Sequence, residues 1–108
     1  MNEREIAKKV ITEELEKDGY KVLKIILFGS RARGDFKRDS DWDFYVIVNK
    51  EIDFHTKKKI SARIRIKMAE FKIPNDIIIQ SNSIVNINMR KDNVGYLTYY
   101  VLKEGVEV

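Results

Sequence analysis

An α/β domain in which helices and strands alternate is what this sequence predicts, on three observations. Lys21 to Phe28 (KVLKIILF) is a nearly continuous apolar, β-branched run, as expected of a strand buried on both faces. Trp42 to Val48 alternates as a second strand, and Ile73 to Gln80 has the β-branched content of a third. Around these, Asn2 to Lys17 and Phe54 to Phe71 repeat apolar residues at helical spacing. With 108 residues and 44% hydrophobic content the chain can bury one core and not two, so residues 1–108 are read as a single domain.

Each element has its own signal. In the first helix Ile6, Val10, Ile11 and Leu15 share a face, and Asp18-Gly19 supplies the stop. The first strand runs into Gly29-Ser30, where glycine lets the backbone approach an anion closely and Ser30 can cap a short helix beginning around Arg31. In the second strand side chains two apart share a face, so Asp41 and Asp43 project together while Trp42 and Phe44 point away. The Phe54 to Phe71 helix sets Ile60, Ile64, Met68 and Phe71 toward the core and leaves Ala62, Ile66 and Ala69 as a second apolar strip.

The same helix carries Lys57, Lys58, Lys59, Arg63, Arg65 and Lys67. These read as a solvated face, because a net charge of +4 is modest and aromatic interleaving is absent, so nucleic acid is not the favoured partner. His55, with no second His or Cys beside it, reads as a surface residue. Ser83 to Asn93 fits a short helix or, from Val85, Ile87 and Met89 alternating with Asn86 and Asn88, a strand. A helix over Asn93 to Lys103 would turn Val94, Leu97 and Val101 inward and gather Tyr96, Tyr99 and Tyr100 outside, either to pack on the first helix or to meet a partner.

The chemistry is concentrated in GSRARGDFKRDSDWDF, where Asp41 follows Gly29-Ser30 after ten residues. Paired carboxylates repel unless a cation lies between them, and hard oxygen donors beside a phosphate site suit magnesium. Asp76, the one acid of the third strand, would be costly if isolated in a buried sheet; placed beside Asp41 and Asp43 it becomes a further metal ligand or a base for an attacking hydroxyl. Other loops fit worse. Gly29 to Gly34 has P-loop spacing, but Asp35-Phe36 stands where Lys and Ser or Thr are needed. Asp39, Asp41 and Asp43 begin like a calcium loop, but Phe44 replaces the turn glycine and Lys50 the closing glutamate.

Gly-Ser, ten residues, Asp-x-Asp and a later strand Asp resemble the signature of the polymerase-beta-like nucleotidyltransferases, and Ile25 to Val48 resembles their small prokaryotic branch, the minimal nucleotidyltransferases. The resemblance covers nearly the whole chain. It implies a nucleotidyltransferase fold: a three- or four-stranded mixed sheet with helices packed mainly on one face. It further implies Gly29, Ser30, Arg31 and Arg33 at the triphosphate of ATP, Asp41 and Asp43 on two magnesium ions, and Asp76 as third carboxylate. Trp42 departs from the smaller aliphatic residue usual there, which bears on packing and not on chemistry.

Members of this branch pair with all-helical HEPN proteins, some transferring AMP onto a toxin tyrosine. The implied function is therefore a protein adenylyltransferase acting as antitoxin, with neutralisation of a helical partner by contact alone as the alternative, and a homo-oligomer compatible with either. A chain this short leaves the acceptor to be presented by another protein. The absence of cysteine and of any signal-like or bilayer-length apolar run leads to the expectation of a cytoplasmic protein with no membrane role, and 35% charged residues with one proline are compatible with a thermophilic source.

Overall fold

The computed structural model describes the backbone of residues 1–90 and 96–108, and the side chains of these except 88–90 and 96. In chain order the elements are α1 (Glu3–Lys17), β1 (Val22–Phe28), α2 (Ser30–Arg33), β2 (Trp42–Val48), α3 (Phe54–Glu70), β3 (Asn75–Ser81), α4 (Asn82–Arg90), α5 (Tyr96–Glu104) and β4 (Val106–Glu107). The strands form one mixed sheet in the order β3-β2-β1-β4. β1 runs antiparallel to both β2 and β4, whereas β2 and β3 are parallel, an arrangement that requires a crossover, which α3 supplies. The two-residue β4 carries no sequence signal beyond Gly105, where a β-carbon would collide with the Ile26 side chain and the Val101 carbonyl.

Strand alternation sorts the apolar residues into two layers. Ile25, Leu27, Phe44, Val46, Val48, Ile77 and Ile79 meet Ile11 and Leu15 of α1 and Ile60, Ile64 and Met68 of α3. The opposite face is smaller, with Ile26, Tyr45 and Ile47 under Val85 of α4 and Val101 of α5. Burial of β1 on both faces holds for Ile25 to Leu27 only; Leu23 is 46% exposed, next to a register shift between Val22 and Lys24. Side-chain caps fix both long helices, since Asn2 Oδ1 accepts from the Glu5 amide at 2.9 Å and Asp53 Oδ1 from the Thr56 amide at 2.7 Å.

Two expectations need correction, and one open choice is resolved. Phe71 does not continue the core stripe of α3 but is 54% exposed, because the helix ends there and Lys72 turns the chain with φ 58°. Leu97 is exposed and Thr98 is buried in its place, its hydroxyl 2.6 Å from that of Tyr45, while Val101 points inward as expected. The ambiguous stretch after the third strand is helical, with Val85 inward and Ile84 and Ile87 exposed. The expectations for Val94, and for the side chains of Met89 and Tyr96, lie outside the described residues.

Helices α1 and α3 are joined by a buried charge. Glu14 is 2% exposed, and its carboxylate takes Lys17 Nζ at 2.7 Å, Lys67 Nζ at 3.1 Å and Arg63 Nε at 3.1 Å. The Lys17 hydrogen bond above all, with Lys67 assisting against the opposing effect of burial, lowers its pKa from 4.5 to about 2. A lowered folded pKa means stability that is present above 4.5 and lost as the pH falls through about 2. Glu14→Gln should therefore cost about 1–3 kcal/mol at neutral pH. Urea unfolding followed against pH should show a loss between 4.5 and about 2 in the parent protein that is much reduced in the variant.

Candidate active site

The strand β1 delivers the chain into a turn that only glycine fits. Gly29 sits at φ 75°, in the region L side chains avoid, and a β-carbon there would collide with Asp43 Oδ2. Gly29, not Ser30, takes the N-cap position of α2: its carbonyl accepts from the amides of Ala32 and Arg33, both at 3.1 Å, and Ser30 is the first helical residue. The amides of Ser30 and Arg31 therefore lead the helix, ahead of its first internal donor. Gly34, at φ 90°, closes the turn by donating to the Ser30 carbonyl at 2.9 Å.

Sheet register brings the carboxylates to this turn. Phe28 pairs with Asp43 across β1 and β2, and Asp43 pairs with Asp76 across β2 and β3. Asp43 and Asp76 share the face of the sheet that carries Tyr45, with exposed Asp41 just ahead of β2. Asp43 is half-buried, and its pKa is raised by burial first, then by Asp76 and Asp41, with Arg33 opposing. Asp76 itself is not buried as expected. It lies on an edge strand, its side chain 51% exposed and hydrogen-bonded to Arg65 Nη2 at 2.6 Å.

Among the described residues no three Asp, Glu or His side chains are gathered as closely as a bound ion would hold them. The donor set nevertheless suits magnesium. The pKa of Asp43 is raised by burial and then by two further carboxylates, with Arg33 only partly opposing, and a hard cation would relieve that strain. Asp41 and Asp43 could hold such an ion, and Asp76 could join on leaving Arg65.

The two arginines of the turn diverge. Arg33 faces the carboxylates, donating from Nη1 to the Tyr100 hydroxyl at 3.0 Å and from Nε to Asp35 at 3.2 Å. Arg31, expected beside it at the phosphates, instead donates to the carbonyls of Arg38 and Ser40 and lies over the Phe36 and Trp42 rings. Trp42 points away from Asp43, as expected, and stacks on Phe44 with centroids 6.5 Å apart. Sequence reasoning missed Arg65 and Tyr100 as neighbours of the site. The only signals were the position of Arg65 in the basic series and of Tyr100 in the tyrosine group. The basic residues of α3 are largely spent inside the molecule: Lys57 on Gln80, Arg63 and Lys67 on Glu14, and Arg65 on Asp76.

Comparison with known proteins bears on the fold and the family. A protein of Methanocaldococcus jannaschii named "putative protein adenylyltransferase" is 37% identical over 54 residues. That match covers 50% of this chain and 54% of that protein, so the chain spans about half the length of the curated relative it matches. A chain of a toxin–antitoxin complex solved with AMP-PNP superposes with a TM-score of 0.62 at 20% identity, covering 99% of this chain and 72% of that one. A complex of tri-AMPylated Shewanella oneidensis HEPN toxin with MNT antitoxin gives 0.58 at 17% identity, covering 98% and 71%. At such identities the likeness is one of fold. The family assignment comes from residues 9–108, nearly the whole chain, which match the polymerase beta nucleotidyltransferase family, and the chain belongs to that family.

Proposed function

We propose that this protein is a magnesium-dependent nucleotidyltransferase that moves AMP from ATP to a hydroxyl, a tyrosine's, on a HEPN-type partner, and so acts as an antitoxin. The observation that carries this reading is the meeting of the Gly29-Ser30 turn with Asp43 and, through register, with Asp76. The leading amides of α2 and the Ser30 hydroxyl would hold the outer phosphates, with Arg33 adding positive charge. Asp41 and Asp43 would hold magnesium, which when bound neutralises phosphoryl charge and orients the reacting oxygens. Asp76 would take the proton of the acceptor hydroxyl, whose oxygen bonds to the α-phosphorus as the bond to the departing pyrophosphate breaks. The nucleotide analogue and AMPylated toxin of the structural relatives support ATP and a HEPN acceptor. Exposed Ile66 with Ala62 and Ala69 on α3, and Leu97 and Tyr99 on α5, are the surfaces on which such a partner would dock.

An antitoxin that acts by contact alone is the weaker reading, because Asp43 would then be held half-buried among like charges to no purpose. Incubation with labelled ATP, magnesium and the HEPN protein separates the two. Label on the partner supports transfer, and a stable unlabelled complex contradicts it.

Asp43→Asn should abolish transfer without harming the fold. The raised pKa of Asp43 means that the stability its neutral form contributes is complete below 3.8 and is lost as the pH rises through the raised value. At neutral pH the Asn protein should thus melt at or above the parent's temperature, and retained transfer by it would sink the assignment. At the turn, Gly29→Val should abolish magnesium-ATP binding by calorimetry, whereas Ser30→Ala, which keeps the backbone donors, should weaken it by about 10-fold or less. Equal affinity of the valine protein and the parent would place the phosphates elsewhere.

A further inference from the structure

Resting on the nucleotidyltransferase reading, we propose that Arg31 does not contact nucleotide but is a positioning residue for Asp41, locking the loop that links the phosphate turn to the first carboxylate. Its guanidinium is turned onto that loop through Nε and Nη2. Nε and Nη2 donate to the Ser40 carbonyl at 3.2 and 3.0 Å, and Nη2 donates also to the Arg38 carbonyl at 3.1 Å. Ser40 immediately precedes Asp41, so the planar fork holds the peptide from which Asp41 departs. The loop is closed a second time within itself, because the Lys37 amide donates to Ser40 Oγ at 2.8 Å and the Ser40 amide to the Lys37 carbonyl at 3.1 Å.

Direction separates this role from phosphate binding. The guanidinium carbon lies 4.4 Å from the Phe36 ring centre and 4.7 Å from that of Trp42. Trp42 and Asp43 are successive strand residues and face opposite sides of the sheet, so Arg31 is stacked on the side away from the carboxylates. Arg31 is anchored at its own backbone in α2, whose leading amides belong to the phosphate turn. One residue thus ties both halves of the site: its main chain to the turn, its side chain to Asp41. A lysine keeps the charge and loses both the fork and the planar stack.

The test is Arg31→Lys, read by three measurements on the intact chain. Amide exchange over residues 36–41 should speed up about 10-fold, reporting the freed loop. Emission of Trp42, the sole tryptophan, should shift as its cation partner leaves. In transfer assays the magnesium concentration giving half activity should rise about 10-fold, while the KM for ATP at saturating magnesium changes by less than about twofold. Phe36→Ala, which removes one stacking ring from an exposed loop position, should move exchange and magnesium requirement in the same direction by a smaller factor.

Weakening of ATP affinity by about 10-fold or more, with loop exchange and magnesium requirement unchanged, would make Arg31 a phosphate ligand and overturn the proposal. Unchanged values throughout would overturn it equally. Loss of transfer by the parent protein itself would strike the nucleotidyltransferase reading instead, and the exchange and emission data would still decide whether Arg31 holds the loop.

Discussion

The contact between Gly29 and the Asp43 carboxylate sets the geometry of everything else at this site. Because β1 and β2 are antiparallel neighbours with Phe28 opposite Asp43, the first residue after β1 must pass directly against that side chain. Only a residue without a β-carbon can do so, and only glycine holds φ 75° without strain. The turn then continues as α2, and the ten residues from Arg31 to Ser40 bring the chain back to Asp41, at the entrance to the strand that carries Asp43. The leading amides of α2 and the carboxylates are neighbours by register, before any ligand is considered.

Two carboxylates illustrate how surroundings move a shielded acid in opposite directions. Glu14 is more deeply buried than Asp43, yet its pKa is lowered, because cations from α1 and α3 reach it. Asp43 is surrounded by other acids and by low-dielectric strand packing, and its pKa is raised. The first arrangement stabilises the fold; the second stores repulsion that a bound cation would release. Arg65 on Asp76, and Arg33 held by Tyr100, moderate that excess charge and so connect the site to α3 and α5, each of which also carries exposed apolar side chains, Ile66 on the first and Leu97 and Tyr99 on the second.

Most of this was legible in the sequence. The strand runs, the two long helices and the Gly-Ser turn followed by Asp41 and Asp43 are local patterns, and local patterns survive folding well. What could not be read there depends on distant residues. β4 is two residues long and exists because β1 offers it an edge. The inward face of α5 is decided by the Tyr45 hydroxyl, which selects Thr98 over Leu97. Asp76 looked buried from its β-branched neighbours, but its strand lies at the sheet edge, where Arg65 and solvent share its carboxylate. Arg31 and Arg33 are alike in sequence and part because the Arg38 and Ser40 carbonyls with the Phe36 and Trp42 rings hold one, and Tyr100 with Asp35 holds the other.

The central claim is that Asp43, raised in pKa by burial and by two neighbouring carboxylates, is poised for a divalent cation next to the phosphate turn. Carboxyl-carbon NMR of the selectively labelled Asp43, titrated against pH with and without magnesium and a non-hydrolysable ATP analogue, tests it most directly. The account predicts a carboxyl pKa above the ordinary 3.8 in the free protein and a clear fall when magnesium and nucleotide are added. A free-protein value at or below 3.8, or one that magnesium and nucleotide leave unmoved, would contradict it.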